Sequence, residues 1–199
     1  MGTELDRSGL GRQRRGVSRA AVYLIACVLA IAVSGCGNRG GSTDAEKAAD
    51  VEVLNEALAQ ELTTVAAYKQ GLALLHGSAL AVASEFRGQD QAHVDALTKA
   101  IRGLGGEVEA EASELETPGL QDRTDALMLA FEEENAALAE ALNAAPSLLT
   151  PVPRTLVAAL AASHAQHLTI LRQTLGASLI EAVPEAFESG YLPPPGNRG

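Results

Sequence analysis

The chain is 199 residues long, carries 25 Asp or Glu against 15 Lys or Arg, and has no Trp and only 3% aromatic residues. A net charge of −10 is unfavourable for following the phosphates of a nucleic acid or for lying flat on anionic lipid. No Gly-rich phosphate loop, nucleophile elbow or basic aromatic patch occurs, so nucleotide, hydrolase and nucleic-acid readings have no residues to stand on.

The first three dozen residues read as a targeting segment. Arg7, Arg12, Arg14, Arg15 and Arg19 make a basic start, and AAVYLIACVLAIAV (20–33) makes an apolar run. That run is short for a spanning helix, which needs roughly 20 residues, but it suits the core of a signal peptide. Val33-Ser34-Gly35-Cys36 resembles the lipobox of bacterial lipoproteins, where cleavage precedes a Cys that is then acylated. Cys36 is therefore the expected lipidation site, with 1–35 removed; the alternative is a plain signal anchor. Loss of Cys27 with the peptide and acylation of Cys36 leave no thiol for disulfide or thiolate chemistry. Residues 36–47 read as a flexible tether. From Cys36 onward ten Lys or Arg face 23 Asp or Glu, a net charge of −13. The expected location is the outer face of a cell membrane, lipid-anchored.

Apolar residues then recur at helical spacing, with no run of period two. Leu54, Leu58, Glu61, Val65, Tyr68 and Leu72 mark a first helix over 44–75, stopped by His76-Gly77. Ser78 is the expected cap of a second over 79–104, closed by glycines 103, 105 and 106. A third runs from Asp122 or Thr124 to Ala144, and a fourth from Thr150-Pro151 to Leu175. Residues 179–199 are a tail rich in Pro and Gly. Short turns join helices one to two and three to four. EVEAEASELETPGLQ (107–121) lies between the pairs and, at about 3.3 Å per residue, is long enough to span a bundle. The pattern predicts an all-α four-helix bundle over 48–178 with one long crossover between helices two and three.

The two hairpins match without a gap. Phe86, Asp90, His93, Leu97 and Ile101 fall on Leu160, His164, His167, Leu171 and Leu175, and Leu54, Leu58, Glu61 and Val65 fall on Leu127, Phe131, Glu134 and Leu138. An internal duplication predicts a pseudo-twofold bundle with helices two and three parallel and 107–121 along its side. It argues against a bundle whose neighbouring helices are all antiparallel. The same matching places Glu61, Asp90, His93, Glu134, His164 and His167 where the helical period calls for apolar residues. Residues at i and i+3 share a helix face, so Asp90/His93 and His164/His167 each aim two ligands at one centre. Buried carboxylates repel one another or take up protons unless a cation lies between them. The set therefore points to divalent metal, as one or two ions. Tyr68 lies on the same inner face, either as a hydrogen-bond partner of a ligand or as core packing with its hydroxyl at the rim. Glu85, Asp95, Glu132 and Glu133 read by phase as solvated charges, and His76 as a cap for helix-end carbonyls.

LNEALAQELTTVAAY (54–68) resembles the first helix of the ferritin-like superfamily, bacterioferritins especially. DQAH (90–93) is similar to its Glu-x-x-His motif, and HAQH (164–167) stands in the place of the second such motif. The resemblance covers roughly 48–178. It implies that Glu61, Asp90 and His93 serve one metal and Glu134 and His167 the other, with iron as the metal and the acid of each motif bridging the pair. Two departures stand out: Asp90 is one methylene shorter than Glu, and His164 replaces a bridging carboxylate. Three carboxylates against two divalent ions leave one positive charge uncancelled, and a nitrogen-rich site shifts preference toward zinc, copper or nickel. The function expected is metal handling, or an oxidoreductase-type role, in a lipid-anchored bundle. The alternative is a metal-free bundle kept as a structural or binding module at the cell envelope. Besides the membrane, the acidic surface points to a cationic protein partner or self-association, and away from nucleotide and nucleic acid.

Overall fold

The structure, a computed structural model, describes residues 41–115, 119–178 and Ala182. The segment read as a signal peptide, Cys36, the start of the expected tether and nearly all of the C-terminal tail lie outside the described residues. Four helices follow in order: α1 (Asp44–Gly71), α2 (Gly77–Gly103), α3 (Arg123–Ser147) and α4 (Pro151–Thr174). No strand occurs among the described residues, and none of their helices is long and apolar enough to cross a membrane.

Local chemistry sets most of the helix ends. Thr43 and Glu46 exchange side-chain and backbone hydrogen bonds in a capping box, satisfying two donors that α1 leaves open. Helix α1 thus begins inside the segment read as tether, which is correspondingly shorter. A 3-10 turn, Leu72–Leu74, continues α1 and ends it near the expected point. Ser78 is not the cap of α2. The helix begins two residues earlier than expected, at Gly77, whose φ of 60° suits glycine. His76 holds the cap position but makes no side-chain capping bond, against the expectation that it caps carbonyls. Asp122 caps α3 by accepting from Thr124 and Asp125 N–H. Helix α3 runs past Ala144 to Ser147 and carries Pro146 in its last turn. Helices α2 and α4 both end in the same glycine motif: Gly105 and Gly106 N–H reach back to Arg102 and Ile101, and Gly176 and Ala177 N–H to Gln173 and Arg172.

Helix α1 packs on α2 and α3, and α4 packs on α3 and α2. Residue pairs fix the directions. Val51 meets Gly106 and Glu61 meets His93 across α1 and α2, while Gln60 meets Glu133 and Gly71 meets Ala126 across α1 and α3. Gln89 meets His167 across α2 and α4, where His93 packs on His164. Arg123 reaches Thr174 across α3 and α4. All four adjacent pairs are therefore antiparallel, which corrects the expectation that rejected such a bundle. Helices α2 and α3 are parallel as expected, but they sit across the diagonal rather than side by side.

Burial of Leu54, Leu58, Phe86, Leu97, Ile101, Leu127, Phe131, Leu160, Leu168 and Leu171 builds the core, with each large side chain contributing about 1.5–3 kcal/mol. Val65 and Leu72, expected in that stripe, are only half-buried. Helices α1 and α3 approach closely where Gly71 meets Ala126. A Cβ at Gly71 would lie 3.1 Å from the Ala126 Cβ, so glycine there permits the close approach. The crossover lies against α1: Asn55 bonds Glu107 and Glu109 backbone, and Thr63 Oγ1 accepts from Ser113 N–H. One buried acid that the sequence pattern does not single out, Asp50, ties the far end. It accepts from Leu149 N–H at 2.6 Å, from Thr150 N–H at 2.9 Å and from the Thr150 hydroxyl.

Candidate metal centre

Each helix places its polar residues on the inward stripe that its apolar residues define. Glu61 follows Leu54 and Leu58 on α1, Asp90 and His93 stand between Phe86 and Leu97 on α2, Glu134 follows Leu127 and Phe131 on α3, and His164 and His167 stand between Leu160 and Leu171 on α4. All six converge in the bundle core. Asp90, Glu134 and His164 are completely buried, Glu61 and His167 nearly so, and the His93 side chain retains 13% of its exposure.

His164 lies at the centre. Its Nδ1 is 2.7 Å from Glu134 Oε2 and its Nε2 is 2.8 Å from Glu61 Oε1. A carboxylate only accepts hydrogen bonds, so His164 donates to both acids when both of its ring nitrogens carry a hydrogen. Glu134 also accepts from the Tyr68 hydroxyl at 2.7 Å, and its Oε1 is 2.9 Å from His167 Nδ1. His93 Nδ1 is 3.3 Å from Glu61 Oε2 and 3.5 Å from Asp90 Oδ1, and His167 Nδ1 is also 3.5 Å from Asp90 Oδ1. The far nitrogen of His167, Nε2, is 2.9 Å from Gln89 Oε1, and the Gln89 amide donates to Glu85 at 3.0 Å. Phe86 stacks on the His167 ring at 4.0 Å.

The electrostatics divide the acids into two kinds. Burial works against charge on Glu134, but hydrogen bonds from His164 and His167 outweigh it and hold the carboxyl down at about 2. Glu61 is lowered in the same way, with burial opposed by His164 and His93. Burial likewise disfavours charge on His164, yet its hydrogen bonds to Glu134 and Glu61 push it up to about 10. Burial, and after it the Glu134 charge beside it, push the Asp90 carboxyl up to about 9. Neither oxygen of Asp90 has a hydrogen-bond partner. An acid buried without hydrogen-bond partners costs about 1–3 kcal/mol, more when charged, and of the acids in this centre Asp90 is the one whose oxygens accept no hydrogen bond.

Donor atoms gather in two groups, Asp90/Glu134/His164/His167 and Glu61/His93/His164. This differs from the division that the family resemblance implies: Asp90 falls with Glu134 and His167, and His164 belongs to both groups. The aromatic ring of Tyr68 is in the core, and its hydroxyl meets a carboxylate rather than the rim. Glu85, Asp95 and Glu132 are exposed as expected, whereas Glu133 is half-buried and bonded to Gln60. Sequence reasoning missed Gln89. Its signal was the i, i+4 spacing from Glu85 together with its place next to Asp90.

Residues 49–177 match the family model described as "Ferritin-like domain". Among solved structures, the chain is similar to a conserved hypothetical protein, rv2844, from Mycobacterium tuberculosis, at 22% identity and a TM-score of 0.61, covering 72% of this chain and 99% of that one. It is also similar to "ferritin like, diiron-carboxylate proteins" from Bacillus anthracis str. Ames, at 22% identity and a TM-score of 0.56, covering 68% and 100% respectively. Among curated proteins none matches. The residues present do not fit a pair of ions bridged by two carboxylates, because His164 stands where one bridge would be and turns both nitrogens to Glu61 and Glu134. They do fit a divalent cation near Asp90, whose buried oxygens accept no hydrogen bond.

Proposed function

The chain belongs to the ferritin-like domain family, and from that premise we propose that it is a lipid-anchored, extracytoplasmic protein that binds divalent metal in its bundle core and serves in metal handling. The observation that carries the metal reading is Asp90, a buried carboxylate with no hydrogen-bond partner, set among two further acids and three histidines. Glu61, Asp90, His93, Glu134, His164 and His167 are the residues from which the ligands come, and Tyr68 holds Glu134 in place. With one carboxylate bridge missing, the site favours holding metal over oxygen chemistry at an iron pair, and its three imidazoles favour zinc or another nitrogen-seeking ion over iron. The anchor rests on the basic start, the apolar run and Val33-Ser34-Gly35-Cys36.

Metal analysis of the purified, tag-free mature chain tests the reading. A bound divalent ion is expected, and excess metal at a hundred times its dissociation constant should raise stability by about 2.7 kcal/mol. Chelator should lower the melting temperature. A protein that purifies without metal, and whose melting curve ignores both metal and chelator, would sink it. Replacing Cys36 by Ser should release the chain from the membrane fraction or leave it unprocessed. Unchanged fractionation with a different mature N-terminus refutes the anchor. A second reading has its own support: His164 already supplies a cation between Glu61 and Glu134, as a metal-free structural module at the envelope would require.

A further inference from the structure

Resting on the lipid-anchor reading, we propose that the α3–α4 turn, led by Leu149 and Val152, docks on the surface of the bilayer that holds the anchor, so that the bundle stands on this end of its helices.

Large apolar side chains are exposed around this turn. Val152 is 79% exposed, Leu149 52% and Leu142 43%, and Leu142 shares a face of α3 with exposed Pro146 one turn on. The charge of the molecule changes here as well. The chain has 25 Asp or Glu, yet none falls between Glu140 and Glu181. Acids load α1, α2 and the crossover instead, where Glu107, Glu109, Glu111 and Glu114 follow one another beside α1. Anionic headgroups repel those surfaces. The α3–α4 end offers an approach without acids.

The backbone of the turn suits lipid contact. Polar main-chain groups enter an apolar medium at little cost only when they are paired within the protein. Leu149 and Thr150 N–H donate to Asp50, Leu148 N–H to the Ala144 carbonyl, and Arg154 N–H to the Thr150 carbonyl. The Leu148 carbonyl accepts from Arg154 Nε at 3.0 Å. Pro151 and Pro153 remove two of the donors that a helix start leaves open. What the tip presents is therefore mainly side chain, and Leu149 and Val152 gain by leaving water.

Chain length sets which end can reach the membrane. Asp50 pins the turn beside α1, six residues from Asp44, which is about 9 Å along the helix. Eight links join Cys36 to Asp44, and these reach at most about 29 Å. Helix α1 has 28 residues and is about 42 Å long. A lipid on Cys36 therefore keeps the opposite end of the bundle off the membrane and holds the end with Leu149 and Val152 near it.

The chain has no Trp, so a single introduced one reports its own depth. The full lipidated chain is reconstituted in phosphatidylethanolamine–phosphatidylglycerol vesicles whose acyl chains are brominated. Bromine should quench Leu149→Trp and Val152→Trp by about twofold or more. Ile170→Trp is the control: Ile170 is 39% exposed and lies about 27 Å further along α4, so its emission should stay unquenched. Leu149→Glu added to Val152→Trp should abolish quenching while the chain still floats with the vesicles. A floating chain that is unquenched at both turn positions, or quenched equally at Ile170→Trp, overturns the docking. Emission shifted to the blue without quenching, and reverting as lipid is added in excess, overturns it in favour of a second copy on the same patch. A chain that does not float at all overturns the anchor reading and the docking with it.

Discussion

Two aspartates are completely buried in this bundle, Asp50 near one end and Asp90 at its centre, and they are treated in opposite ways. Asp50 takes two backbone N–H groups and the Thr150 hydroxyl, so its oxygens are fully engaged in holding the α3–α4 turn against α1. Asp90 has none of this, and the acids nearest to it are anions that make its own charge harder to keep. Equal burial therefore signals opposite roles. An acid that the fold satisfies is part of the scaffold, and an acid that the fold leaves open is waiting for something the chain does not supply.

The contrast can be broken at either end. Asp50→Ala strands the N–H groups of Leu149 and Thr150 and should cost about 3–5 kcal/mol in urea denaturation, with chelator making no difference to the loss. A cost below 1 kcal/mol would mean that the turn does not depend on the acid. His164→Leu leaves Glu61 and Glu134 facing each other without their internal cation, and should cost about 3 kcal/mol in metal-free protein. Equal stability of variant and wild type in chelator would show that His164 is not holding the two acids. Tyr68→Phe removes one hydrogen bond to a charged carboxylate and should cost about 1–2 kcal/mol by thermal melting, so a rise in melting temperature would count against that bond. Asp90→Leu in chelator is the mildest and most telling change. Since the wild-type acid has no partner, stability should stay within about 1 kcal/mol or rise, where Asp50→Leu should fall sharply. Similar losses at both sites would erase the distinction between them.

Much of this was legible in the sequence, because helical period and loop length are local properties. The short, long, short connections gave the hairpins and the crossover, and the six polar residues declared themselves by breaking an apolar stripe. Relations between helices were harder to read. Whether α2 and α3 touch depends on how four helices share a core, and the close approach of Gly71 to Ala126, which sets α3 beside α1, joins residues 55 positions apart in the chain. Asp50 does not stand out in the sequence because it lies near the start of a helix, where acids are ordinary, and its partners lie a hundred residues away. Gln89 was missed because an amide carries no charge and breaks no stripe. The protonation of His164 required knowing that two carboxylates approach it from different helices, which no spacing within α4 reveals.

Of the four seams between adjacent helices, the one joining α2 to α4 is the sparsest, and much of what crosses it belongs to the polar centre: Gln89 and Phe86 on His167, and His93 on His164. The polar centre reaches the other seams as well, but those make many more contacts around it. This one is closed in part by groups whose mutual attraction depends on what lies among them, so it is where the bundle should breathe. His93 lies on this seam and is the least buried member of the centre, so exchange between the interior and the outside is expected to be fastest there, whatever the tightness of binding within.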